Sequence, residues 1–123
     1  MSTAMIVQNL EMTRGDDREL LCTVVADDDS PFNLTGQTLH WTLKAAYTDE
    51  DADAIAQKST AAGIVITDGP GGLATVAIAA ADTEGVAILS AKPVTLYWDL
   101  QLSPNKRTIA FGKLLLYPDA TRA

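Results

Sequence analysis

One histidine and one cysteine occur among the 123 residues, and this limits the chemistry the chain can perform. A catalytic triad needs a base, an orienting carboxylate and a nucleophile held together. A structural zinc site needs several nitrogen or sulfur ligands. His40 has no cysteine partners and sits between Leu39 and Trp41 in an alternating run, so it is expected on the wet side of a strand. Cys22 lies in Glu19-Leu-Leu-Cys-Thr-Val-Val-Ala26, where a small buried apolar side chain fits. Nothing near it in sequence would favour a thiolate, so an inert core thiol is expected rather than a reactive one. A lone cysteine also rules out an intrachain disulfide.

Four other groupings carry possible chemistry. Asp49, Asp51 and Asp53 have the one-three-five spacing of a calcium loop, but Ala54 stands where a sharp turn needs glycine. Thr60 stands where a bidentate glutamate should close the site. A solvated acidic loop is the expectation there, and likewise at Asp27, Asp28 and Asp29. Arg14-Gly15-Asp16 spells an integrin-type tripeptide, yet three residues are too short to mean much. Glycine freedom and aspartate side chains that accept from backbone amides make a turn the simpler reading. Asp68-Gly-Pro-Gly-Gly72 is glycine-rich, but no lysine or helix follows it to cradle a phosphate. Tyr97, Asp99 and Gln101 share one face and could meet a sugar or a partner, although such residues are commonly just the solvated side of a sheet. No catalytic, cofactor-binding or metal-ligating residue is assigned.

The composition agrees with a binding or assembly role. A hydrophobic share of 47% and a charged share of 20% are ordinary for a globular domain. With 9 basic and 16 acidic residues the net charge is -7, which disfavours nucleic acid, since that affinity comes mainly from lysine and arginine displacing counterions. No stretch approaches the roughly 20 apolar residues that span a bilayer. The start of the chain lacks the basic-then-apolar pattern of a signal peptide, so synthesis and folding in a cytoplasm are expected.

The elements that must carry these residues read as strands. Short alternating or β-branched runs are punctuated by Gly, Pro, Asp and Asn, the pattern of an all-β sandwich. Met5 to Met12 leads to a turn at Arg14–Asp17, and Leu20, Cys22 and Val24 share the inner face of the next run. From Gln37 to Ala45, Leu39, Trp41 and Leu43 alternate with polar neighbours. Residues 47–62 break the rhythm and predict an exposed excursion with one helical turn or a weak edge strand. Ile64 and Ile66, the turn at 68–72 and Leu73 to Ala79 make a hairpin. Ala80 to Gly85 predicts a single helical turn capped by Asp82 or Thr83 and pinned by Val86 and Leu89. Val94, Leu96, Trp98, Leu100 and Leu102 share one face of the last hairpin, whose return runs from Thr108 to Tyr117. The apolar parity shifts between Phe111 and Leu114, so either a β-bulge is expected at Gly112 or this strand is covered on both faces. One domain over 1–123 results, with seven or eight strands and a short tail at 118–123.

Several landmarks recur together in order. They are Arg14-Gly15-Asp16-Asp17, Phe32-Asn33-Leu34-Thr35-Gly36 and Gly63-Ile64-Val65-Ile66-Thr67-Asp68. Gly72-Leu73-Ala74-Thr75-Val76, Ala81-Asp82-Thr83, Tyr97-Trp98-Asp99-Leu100-Gln101 and Gly112-Lys113-Leu114 follow. The set, spanning Arg14 to Tyr117, resembles the immunoglobulin-like antiparallel β-sandwich module of tailed-phage structural proteins. One version of that module is the N-terminal domain of baseplate upper proteins. Two features depart from it: little chain lies beyond the module, and the 47–62 excursion is longer than the usual loop.

The resemblance implies a non-enzymatic virion component in a tail, baseplate, fibre attachment or head decoration. Its partners would be other virion proteins and repeated copies of itself, without nucleic acid, membrane or cofactor. A carbohydrate- or host-surface-binding module is the alternative expectation.

Overall fold

Strict alternation of apolar and polar side chains sorts this chain into two layers. The structure is a computed structural model that describes residues 3–4, 6–46, 48, 50, 53–88, 91–103 and 107–119. Its strands are β1 (Thr3–Ala4), β2 (Ile6–Val7), β3 (Leu10–Thr13), β4 (Arg18–Thr23), β5 (Val25–Ala26) and β6 (Thr38–Lys44). They continue with β7 (Ala56–Ser59), β8 (Ile64–Asp68), β9 (Leu73–Ile78), the helical turn α1 (Ala80–Glu84), β10 (Val94–Ser103) and β11 (Arg107–Tyr117). Eight of these strands have four or more residues and three have only two.

The larger sheet runs β2/β3–β11–β10–β6–β7, and the smaller runs β4–β9–β8, with β1 and β5 forming a separate pair. Among the described strands every ladder is antiparallel except two: β11 pairs in parallel with both β2 and β3. Those parallel ladders depart from the antiparallel expectation, because the partner of a short N-terminal strand is set by the whole fold.

Between the sheets lie Leu39, Trp41 and Leu43 of β6, Leu96, Trp98 and Leu100 of β10, and Leu114 and Leu116 of β11. Leu20 and Cys22 of β4, Ile64 of β8, and Ala74, Val76 and Ile78 of β9 face them. The rings of Trp41 and Trp98 meet with centroids 6.4 Å apart and planes tilted by 35°, a spacing at which aromatic pairs attract beyond their area of contact. The inner faces expected for β4, β6, β9 and β10 are therefore the observed ones.

The parity shift in β11 is real, but it lies elsewhere than expected. Pairing with β10 slips between Leu100 and Gln101, so that Leu100 faces Ala110 and Gln101 faces Thr108. Ile109 is the extra residue, and both it and Ala110 are buried. Gly112 keeps regular register opposite Trp98. Its role is close approach instead. A Cβ there would lie 1.5 Å from the carbonyl oxygen of Gln8 and 3.2 Å from Trp98 Nε1.

That approach belongs to a crossing. At Gln8 and Asn9 the chain steps between β2 and β3, and the lost ladder bonds are replaced. Gln8 N–H donates to Phe111 O at 2.9 Å, and Lys113 N–H donates to the Asn9 side-chain oxygen at 3.1 Å.

The helical turn is also capped differently from the expectation. Ala79 is the N-cap, and Asp82 occupies the third helical position. Its carboxylate accepts from Ala79 N–H at 2.7 Å, half of a capping box. Thr83 is buried and accepts from Gly15 N–H at 2.9 Å. Val86 packs against the core, and Leu89 lies outside the described residues. Within the 47–62 excursion, Ala56–Ser59 forms an edge strand on β6.

Candidate interaction surface

The outer face of the larger sheet gathers the polar side chains that the sequence singled out. The register places Asp99 between Thr42 and Phe111, with Gln57 beyond Thr42 and Val7 beyond Phe111. The next row sets Gln101 between His40 and Thr108, with Ser59 beyond His40. Gln101 bridges the rows by donating to Asp99 Oδ2 at 3.3 Å and Thr108 Oγ1 at 3.4 Å.

Around them lies an open depression of about 600 Å³ whose lining includes His40, Thr42, Gln57, Ser59, Gln101 and Ser103. Its polar groups are hydroxyls, carboxamides, the His40 imidazole and the Lys58 ammonium, which together offer both donors and acceptors. Such a surface makes directional hydrogen bonds to a protein or a polyol. His40 is exposed and, among the described residues, hydrogen-bonds to neither Ser59 nor a carboxylate. The sequence placed Tyr97, Asp99 and Gln101 on one face and His40 on the wet side of its own strand; the register sets His40 beside Gln101, which no sequence pattern had linked.

The other candidates are held in structural roles. Arg14 is only 8% exposed. Its Nε donates to Asp119 Oδ1 at 2.8 Å and its Nη1 to Val86 O at 2.8 Å. The arginine of the Arg-Gly-Asp tripeptide is thus directed inward, where it ties the tail to the chain after α1. Gly15 takes a φ of +83°, and Asp17 accepts from Ala80 N–H at 2.8 Å, so the whole turn clamps α1. Cys22 is fully buried, and burial pushes its thiol up to about 12. Such a thiol is protonated and unreactive at neutral pH.

Asp28 accepts from both the amide and the hydroxyl of Ser30, and those bonds hold its carboxyl below the usual range. Asp68 accepts from Gly71 N–H at 3.0 Å and closes its turn. Asp53 is exposed, whereas Asp49 and Asp51 lie outside the described residues. Among the described residues no group of three or more His, Cys, Asp or Glu side chains could hold a metal ion, and no helix is long and apolar enough to cross a membrane.

Sequence reasoning missed the work of Gln8. Its side-chain nitrogen donates to Leu21 O at 2.9 Å and its oxygen accepts from Thr23 N–H at 3.4 Å. The amide thereby occupies the edge of β4 in place of a neighbouring strand. The only signal was a pair of amide residues, Gln8-Asn9, interrupting an apolar run.

Together, the strand order and the tryptophan-centred interior define an immunoglobulin-like β-sandwich. β4, β9 and β8 take the places of strands B, E and D, and β11, β10, β6 and β7 those of G, F, C and C′. Antibody domains bridge strands B and F by a disulfide against a tryptophan on strand C. Here the strand-B cysteine is Cys22, the strand-C tryptophan is Trp41, and Trp98 on strand F completes the centre without a bridge.

No protein-family model matches the chain, and no curated protein matches it. Among solved structures it is similar to the NK cell receptor Nkp44, described as a triggering partner in natural cytotoxicity. The TM-score is 0.49 and the identity 12%, over 92% of this chain and 98% of that one. A likeness at that level concerns backbone shape alone.

Proposed function

We propose that this protein is a non-enzymatic structural component of a tailed-phage or prophage virion, acting through protein contacts made by its sheet surfaces and edges. The observation that carries the assembly reading is the division of labour among its polar side chains. Arg14, Asp17, Thr83, Asp82 and Gln8 hold the sandwich together, while the outer face around His40, Thr42, Asp99 and Gln101 presents a broad polar surface of hydrogen-bonding groups. Interfaces are built of such surfaces. The virion setting rests on the ordered landmarks from Arg14 to Tyr117.

The test is genetic and morphological. Deleting the gene from the phage or prophage that carries it should yield particles lacking one recognisable part, restored by expression in trans. Intact, infectious particles from the deletion would overturn the reading.

The same depression supports carbohydrate or host-surface binding as a second reading, since hydroxyl and carboxamide groups suit sugar hydroxyls. A glycan array with the purified domain decides it. Binding that Gln101→Ala weakens at least tenfold favours the second reading, and no binding to any glycan removes it.

A further inference from the structure

At the end of the sandwich where β6 finishes and β10 begins, the smaller layer continues as α1 and the chain after it. A depression of about 520 Å³ opens there between α1 and the larger sheet. Leu96, which is buried, and Ile55, Val86 and Val94, which are half-buried against the core, supply its apolar surface. Small residues keep it open. Ala81, Gly85 and Ala87 line it and are exposed, and a Cβ on Gly85 would meet nothing within 4 Å.

A helix of five residues has little stability of its own, yet α1 is fixed from several sides. Ala80 N–H donates to Asp17 at 2.8 Å, and Gly15 N–H donates to Thr83 at 2.9 Å. Arg14 Nη1 donates to Val86 O at 2.8 Å, and Lys58 Nζ on β7 lies 2.8 Å from Asp82. This wall of the depression is therefore held in place before anything touches it, which lowers the ordering cost of binding.

Negative charge surrounds the apolar surface. The two segments that line the depression beside β10, 45–58 and 79–94, contain six carboxylates and two lysines, in a chain of net charge -7. One of those lysines, Lys58, is engaged by Asp82, while Glu50, Asp53 and Glu84 are exposed. An apolar centre inside a polar rim is the anatomy of a protein interface, and the sign of the rim selects the partner. A neutral apolar molecule would leave the carboxylates unanswered, and a second copy of this acidic chain would meet them with like charge.

We propose that this end groove docks a basic segment of another protein: one large apolar side chain enters between β10 and α1, and lysine or arginine residues on either side of it meet the carboxylates of the rim. This deepens the assembly reading and rests on it, by naming the chemistry of one partner and the place where it binds.

The test uses the full chain and a short synthetic peptide with one phenylalanine between lysines. Two control peptides replace the phenylalanine by alanine, or the lysines by glutamates. Titration followed by amide chemical shifts should move Ile55, Ala81 to Ala87 and Val94, and leave the outer face around His40 and Gln101 unchanged. Each control should bind at least tenfold more weakly. Salt at about 1 M, where screening acts beyond about 3 Å, should weaken the lysine peptide at least tenfold. Gly85→Phe fills the groove. Its φ of -80° suits any residue, so melting should hold while affinity for the peptide falls at least tenfold. Asp53→Lys with Glu84→Lys, which reverses the rim, should do the same. Shifts spread over the whole surface, no binding at all, a control peptide bound as tightly, or undiminished binding by Gly85→Phe would each overturn the docking site. A peptide that fails while gene deletion removes a particle part sinks the groove alone. One that binds in the groove while deletion leaves particles intact sinks the virion reading alone.

Discussion

Replacing Gly112 by alanine probes the crossing that joins the N-terminal strands to β11. The added Cβ would sit 1.5 Å from the Gln8 carbonyl oxygen and 2.6 Å from its carbon. Both are backbone atoms, so no rotamer change relieves the overlap, and the segment around Gln8 must move. Moving it breaks the bond from Gln8 N–H to Phe111 O, at 2.9 Å, and the one from Lys113 N–H to Asn9, at 3.1 Å. It also draws the Gln8 carboxamide away from Leu21 O, now at 2.9 Å. Three such bonds at about 1 kcal/mol each amount to about 3 kcal/mol. The change from glycine to alanine in a strand returns roughly 0.5–1 kcal/mol. The net loss is about 2–2.5 kcal/mol, a large part of the roughly 5–15 kcal/mol that holds a domain together. Equilibrium urea unfolding should show it at unchanged m-value, and thermal unfolding should show a fall in Tm of about 8–10 °C. Gly85→Ala is the control, since nothing lies within 4 Å of a Cβ there; it should stay within about 0.5 kcal/mol of wild type. A Gly112→Ala variant as stable as the control would refute the argument from close approach.

Alkaline pH should expose the burial of Cys22. Burial raises its folded pKa to about 12 from the ordinary thiol value of 9.0, so above the unfolded value the unfolded chain loses a proton that the folded chain keeps, and stability falls. Between pH 9 and 10.5 wild type should lose about 1.5 kcal/mol more than Cys22→Ala, measured by urea unfolding at each pH; parallel curves would contradict the assignment. A thiol reagent at neutral pH should label Cys22 only after denaturant is added. Arg14→Met should cost about 2–3 kcal/mol, because it strands Val86 O and the Asp119 carboxylate. Asp119→Asn keeps a carbonyl acceptor and should cost about 1 kcal/mol or less in the same assay.

The layers were legible because β6 and β10 announce themselves. Leu39, Trp41 and Leu43, then Leu96, Trp98 and Leu100, alternate without a break, and period two can be satisfied only by a half-buried strand. The bulge in β11 was legible as an event but not as a place. Ala110 is small and reads as neutral, so the eye falls on Gly112, although the extra residue is Ile109.

Pairings that depend on distant partners left no local trace. Nothing in Ile6–Val7 or Leu10–Thr13 says that they lie parallel to β11. Nothing in Arg14 says that it turns inward to Asp119, 105 positions away. The polar surface around His40 could be read because outward residues follow from inward ones. The carboxamide of Gln8 on β4 could not, because it substitutes a side chain for a strand.

The central claim is that this sandwich works by being held against neighbouring virion proteins. Cryo-electron microscopy of particles purified from cultures of the cell in which the gene is found tests that proposal most directly. The account predicts immunoglobulin-like density at symmetry-related positions, with sheet faces or edges in contact with adjacent subunits. Complete particles containing no copy of this chain would contradict it.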